Sequence, residues 1–139
     1  MIMEAVYWDA SAVLSLLFPD TYSSAARTCA ARDVEHVVSS LTLAEIYAAL
    51  ERARRSHFYS EAIIVESKRR LEHGRWRYVL VSPRRAILQE LASKCALKGA
   101  GLWHLALVKM LNAERPELRL LSFDARLVEA ARGEGFSAT

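Results

Sequence analysis

At 139 residues, 53% hydrophobic and 25% charged, the chain has the length of one domain and enough apolar content to bury one core. No apolar run reaches the roughly 18 charge-free residues of a membrane span, and the N-terminal MIMEAVYWDAS lacks the basic, apolar and small-residue zones of a secretion signal. The net charge of +3 is a mild bias towards polyanionic partners, and Cys29 and Cys95, without paired spacing, read as buried free thiols of a reducing compartment, as expected of a cytoplasmic protein.

In chain order, AVYWD at 5–9 is a short apolar strand. SAVLSLLF follows with helical periodicity and stops before Pro19. Residues 21–32 form a second short helix, with Ala25, Ala26, Cys29 and Ala30 on one side. HVVSS at 36–40 is a strand, and a helix starts near Ser40 or Thr42 and runs to Arg55. Residues 59–73 predict another helix, stopped by Gly74. WRYVLVS at 76–82 alternates as a strand does, and Pro83 opens the helix RRAILQELASKCAL. KGAG punctuates the chain before the apolar helix LWHLALVKMLNA. After Pro116 come the strand LRLLSF, a last helix beginning at Asp124, and a short terminal strand GFSAT. Strands alternating with helices predict an α/β fold: a single three-layer α/β/α domain over residues 1–139, with a mainly parallel sheet of four to five strands. Ligands gather at the carboxyl ends of the strands in such a sheet.

Three acids stand where apolar segments end or are broken. Asp9 ends AVYWD, Asp124 ends LRLLSFD, and Glu45 interrupts LTLAEIYAAL. Each has a plainer structural reading. Asp9 and Asp124 are in helix-capping positions, and Thr42 with Glu45 spells a capping box. Taken together, carboxylates at one edge of one sheet point to a shared cation, because a buried carboxylate needs a partner. Oxygen ligands suit Mg²⁺, and a held divalent cation suits phosphoryl chemistry. Arginines and lysines cluster at Arg52, Arg54 and Arg55, at Lys68, Arg69 and Arg70, and at Arg84 and Arg85. These clusters are either solvated helix faces or a track for a phosphate backbone.

WDASAVLSLLF, SSLTLAEIYAAL, LKGAGLWHLALVKML and LLSFDARLVEAARGEGF, in this order and spacing, resemble the PIN-domain family, and within it the VapC-type toxin ribonucleases. The resemblance implies a PIN-like sandwich of helices around a parallel sheet. It implies four acids that hold Mg²⁺ or Mn²⁺ and cleave RNA, with Asp9, Glu45 and Asp124 in three of those roles and Ser11 and Ser122 flanking them. Gly101 stands where the remaining acid is expected, which predicts a weakened nuclease. Trp103 replaces a usual aliphatic residue, and His104 matches a family histidine that reads as structural. The Arg52, Arg54, Arg55 and Lys68, Arg69, Arg70 clusters would position substrate. The resemblance further implies an antitoxin partner and a homodimer, and some of Leu43, Ile46, Tyr47, Leu50, Phe58 and Ile63 would line an interface if they are not all core. The competing reading, from Gly101, is a degenerate PIN domain that binds RNA or a protein without turnover. A receiver-like phospho-switch is disfavoured, because SFDARL supplies no lysine after the late strand.

Overall fold

Strands β1 (Ala5–Trp8), β2 (Glu35–Ser39), β3 (Trp76–Val79) and β4 (Leu118–Leu121) form one parallel sheet in the order β3-β2-β1-β4. The computed structural model describes residues 3–139. All four β1 positions are buried, as a central parallel strand covered on both faces requires. Its alternate side chains divide the core. Val6 and Trp8 face helices α1 (Ala10–Leu17), α2 (Ser23–Ala30), α3 (Ser40–Arg55) and α4 (Glu61–Glu72). Ala5 and Tyr7 face α5 (Arg85–Lys94), α6 (Gly99–Glu114) and α7 (Ala125–Gly133). This is the three-layer α/β/α arrangement. Leu105 to Val108 are all buried, so α6 is enclosed around much of its circumference there.

Several boundaries differ from the sequence expectation, each for a local reason. β3 stops at Val79, not at Ser82, and Leu80 is 83% exposed. Its ladder partner ends first: Val79 pairs with Ser39, where β2 turns into α3. Pro83 precedes α5 and does not open it, since Arg84 is the N-cap and Arg85 the first helical residue. KGAG does not break the chain, because Lys98 is the N-cap of α6 and both glycines lie in its first turn. The terminal strand shrinks to one parallel bridge between Leu120 and Ala138, supported by Ser122 N–H donating to the Thr139 carbonyl at 2.9 Å. Cys29 and Cys95 are free but only partly buried, in the last turn of α2 and at the C-cap of α5. Ala25 faces solvent while Ala26 packs inward. On α3, α4 and the turn between them the apolar set divides: Ile46 and Leu50 are core, Leu43 is partly buried, and Tyr47, Phe58 and Ile63 are exposed.

Candidate active site

Asp9 follows β1 directly and is 5% exposed. One carboxylate oxygen, Oδ1, accepts the Ala12 backbone N–H at 3.0 Å and the Ser11 hydroxyl at 2.7 Å. That is a helix N-cap, as the plainer reading expected. The second oxygen exceeds it: Oδ2 accepts the Ser122 hydroxyl at 2.6 Å, from the residue after β4. Burial pushes the Asp9 pKa up, while the bonds from Ser122, Ser11 and Ala12 pull it back.

Ser122 is the joint between two of the acids. Besides donating to Asp9 it accepts the Asp124 backbone N–H at 3.0 Å. Asp124 is exposed and caps α7, with Oδ1 accepting the Arg126 and Leu127 N–H groups at 3.0 and 3.4 Å. Ser11 closes the circuit by accepting the Phe123 N–H at 2.9 Å. Ser11 and Ser122 therefore sit between Asp9 and the chain leaving β4.

Glu45 belongs to a different network. Thr42 is not its helix cap: Ser39 caps α3, with its hydroxyl accepting the Thr42 N–H at 3.2 Å. Glu45 is thus no member of a capping box. Its Oε1 lies 2.6 Å from His104 Nε2, on α6 across the sheet edge. His104 Nδ1 is 2.7 Å from the Tyr7 hydroxyl, which is 2.7 Å from Ser39 Oγ. Beside a carboxylate, Nε2 carries the ring proton, so Nδ1 accepts from Tyr7. Burial pushes the Tyr7 pKa far up, and the Asp9 and Glu45 charges add to the rise, so the phenol stays a donor. Thr42 completes the chain by donating to the Trp8 carbonyl at 3.1 Å. Tyr7 and Ser39 were missed by sequence reasoning. The one available signal was a polar tip inside the otherwise apolar AVYW.

Asp9, Glu45 and Asp124 each keep an oxygen or lone pair outside these bonds. Among the described residues, however, no three His, Cys, Asp or Glu side chains come close enough to hold one metal ion together. Gly101 lies one turn before His104. A Cβ there would meet only Leu97, at 3.8 Å, so an acid would fit where the chain has none.

The basic clusters do not form one open track. Arg54 donates to Glu51 at 2.7 Å, Lys68 lies 3.8 Å from the same carboxylate, and Arg69 is held by Glu66. Arg70 donates to the carbonyls of Leu16 and Leu17, at the end of α1. Arg52 and Arg55 are exposed and make no ion pair among the described residues.

A parallel sheet with helices on both faces and with Asp9 and Asp124 following two of its strands defines a doubly wound α/β protein. The PIN domain family model matches residues 6–133, and the chain belongs to that family. No curated protein matches it in sequence. Solved structures that share the fold include the following three. PAE2754 from Pyrobaculum aerophilum has a TM-score of 0.65 at 16% identity, over 97% of this chain and 83% of its own. VapBC2 from Rickettsia felis, bound to a DNA fragment from its promoter, has a TM-score of 0.66 at 12% identity, over 97% of each chain. VapC20 from Mycobacterium tuberculosis, a sarcin–ricin-loop-cleaving toxin, has a TM-score of 0.61 at 14% identity, over 94% of this chain and 95% of its own.

Proposed function

We propose that the chain is a divalent-metal-dependent endoribonuclease, hydrolysing RNA phosphodiesters as the toxin of a type II toxin–antitoxin pair in the cytoplasm. The observation that carries this reading is Asp9, a carboxylate buried at the end of a central strand with its pKa pushed up. Such a group is relieved by a neighbouring cation. The donor chemistry of Asp9, Glu45 and Asp124 fits a hard ion such as Mg²⁺ or Mn²⁺. Because no three of these ligand types meet among the described residues, waters and substrate phosphate would fill most of the sphere, which suits Mg²⁺. When bound, the ion supplies polarisation of a phosphoryl oxygen and a more acidic water.

The chain's own residues do the orienting. Ser11 and Ser122 fix the two oxygens of Asp9, and His104 fixes one oxygen of Glu45. The backbone of α7 fixes Asp124. Carboxylates held in advance cost little reorganisation when charge develops on the substrate. Arg52 and Arg55, exposed and without an ion pair among the described residues, would attract the RNA backbone.

The PIN fold and the likeness to VapC20 and VapBC2 support RNA as substrate and an antitoxin as partner. The exposed Tyr47, Phe58 and Ile63 support a protein interface, which we assign to a homodimer. Among the described residues no helix is long and apolar enough to cross a membrane. The test is incubation with mixed single-stranded RNAs and Mg²⁺ or Mn²⁺, repeated with Asp9→Asn. Cleavage lost in the variant supports the enzyme. Gly101 favours one second reading, a degenerate PIN domain that binds RNA or a protein without turnover. RNA bound by both forms and cut by neither would leave only that reading.

A further inference from the structure

Tyr22 stands at the start of α2 with helical backbone angles, and its side chain makes no capping bond. The turn is organised by its neighbours instead. Asp20 accepts the Tyr22 N–H at 2.7 Å, and the Ser23 hydroxyl accepts the Asp20 N–H at 2.8 Å. The Tyr22 ring lies flat on Phe123, with centroids 4.7 Å apart and planes 9° from parallel. Phe123 is packed against the core, so the inner face of Tyr22 is covered while the residue remains 48% exposed. One aromatic face is thus presented to solvent on a rigid backing.

Its location gives that face a use. Phe123 is the residue between Ser122 and Asp124, and its N–H is bonded to Ser11. The platform and the carboxylate network therefore share one segment of chain. Every nucleobase has a π-face, and unpaired bases stack on exposed aromatic rings. A base inside a duplex is stacked on its neighbours and not free to do so.

We propose that Tyr22, backed by Phe123, stacks an unpaired RNA base beside the scissile phosphate and so favours single-stranded substrate. The proposal rests on the ribonuclease reading above.

The probe is a short fluorescently labelled single-stranded RNA, with abasic substitutions walked along it, read by anisotropy without divalent ions and by cleavage with Mn²⁺. Tyr22→Ala should weaken binding about tenfold, the scale of one stacked base. Tyr22→Phe and Tyr22→Trp should restore it. One abasic position should weaken the wild type and have no further effect in Tyr22→Ala. A merely structural Tyr22 would not show that non-additivity. If the wild type binds and cuts RNA, and Tyr22→Ala does so equally with a flat abasic scan, the platform is refuted while the nuclease stands. If the wild type neither binds nor cuts any RNA, both fall. If Tyr22→Ala loses affinity for a partner protein and none for RNA, the face belongs to a protein side chain and the proposal is overturned.

Discussion

His104 Nε2 lies 2.6 Å from Glu45 Oε1, joining α6 to α3 across the carboxyl edge of the sheet. The histidine is buried and its second nitrogen meets Tyr7. It is a core residue and also the clamp on the Glu45 carboxylate, which we propose to be part of the site. His104→Ala should lower stability by about 2–3 kcal/mol, since it opens a cavity and strips a bond from the buried Tyr7. Turnover per folded molecule should also fall, about tenfold, because Glu45 becomes free to rotate. Thermal melts and initial rates measured together separate the effects. Unchanged turnover in the folded fraction would leave His104 a purely structural residue.

Asp9 makes a prediction about pH in metal-free protein. Burial raises its pKa in the folded state, so the folded protein holds that proton more tightly than the unfolded chain. The stability tied to this proton is fully present below the ordinary carboxylate range and lost as pH rises through the raised value. At neutral pH the buried charge is therefore a net cost. Asn can keep the Ser11 and Ala12 bonds through its carbonyl and donate to Ser122 through its amide. With EDTA present, Asp9→Asn should melt higher than the wild type at neutral pH, and the gap should close on acidification. A gap that is constant with pH would show that Asp9 is not the titrating group.

How far the sequence could be read follows from the range of each interaction. Asp9 and Asp124 were legible because an apolar strand followed by an acid and a helix is a local pattern, and the parallel order brings both to one edge. Glu45 was legible as an interruption, but its surroundings were misread. T-x-x-E spells a capping box only if the helix starts at Thr42, and the end of β2 hands the cap to Ser39. The end of β3 was hidden for a related reason: alternation continues to Ser82, while the partner strand does not. The basic clusters are visible in sequence, and two of the counter-charges that occupy them are local too, since Glu51–Arg54 and Glu66–Arg69 are i,i+3 pairs on one helix face. Contacts such as Tyr22 on Phe123 or Tyr7 on His104 join residues far apart in sequence and leave no local trace.

Those counter-charges separate the arginines into two groups with different salt behaviour. Arg69 is held by Glu66, so the pair offers little net charge to a phosphate. Arg52 and Arg55 are exposed without an ion pair among the described residues. If they touch RNA phosphates, Arg52→Ala and Arg55→Ala should each weaken binding and reduce the slope of log affinity against log salt by about 0.7, the single-strand value. Arg69→Ala should leave the slope within error. Titrations of a short single-stranded RNA at several salt concentrations decide it, and equal slopes in all three variants would remove α3 from the substrate path.

Gly101 offers a substitution expected to improve two properties together. It is in the first turn of α6, which contains no acidic residue and has no side-chain cap at Lys98. The added Cβ of Gly101→Asp would meet only Leu97, at ordinary contact distance. Replacing a helical glycine relieves backbone entropy, and a carboxylate near a helix N-terminus is favoured by the exposed N–H groups. Together these should stabilise the fold by about 1 kcal/mol. The same carboxylate would stand one turn from His104, the residue that holds Glu45, and would make the site more negative. Mn²⁺ should then bind at least tenfold more tightly by calorimetry, and Mn²⁺-dependent RNA cleavage should rise. A higher melting temperature without a change in Mn²⁺ affinity would show that the acid caps the helix and does not reach the cation, which would place Gly101 outside the site.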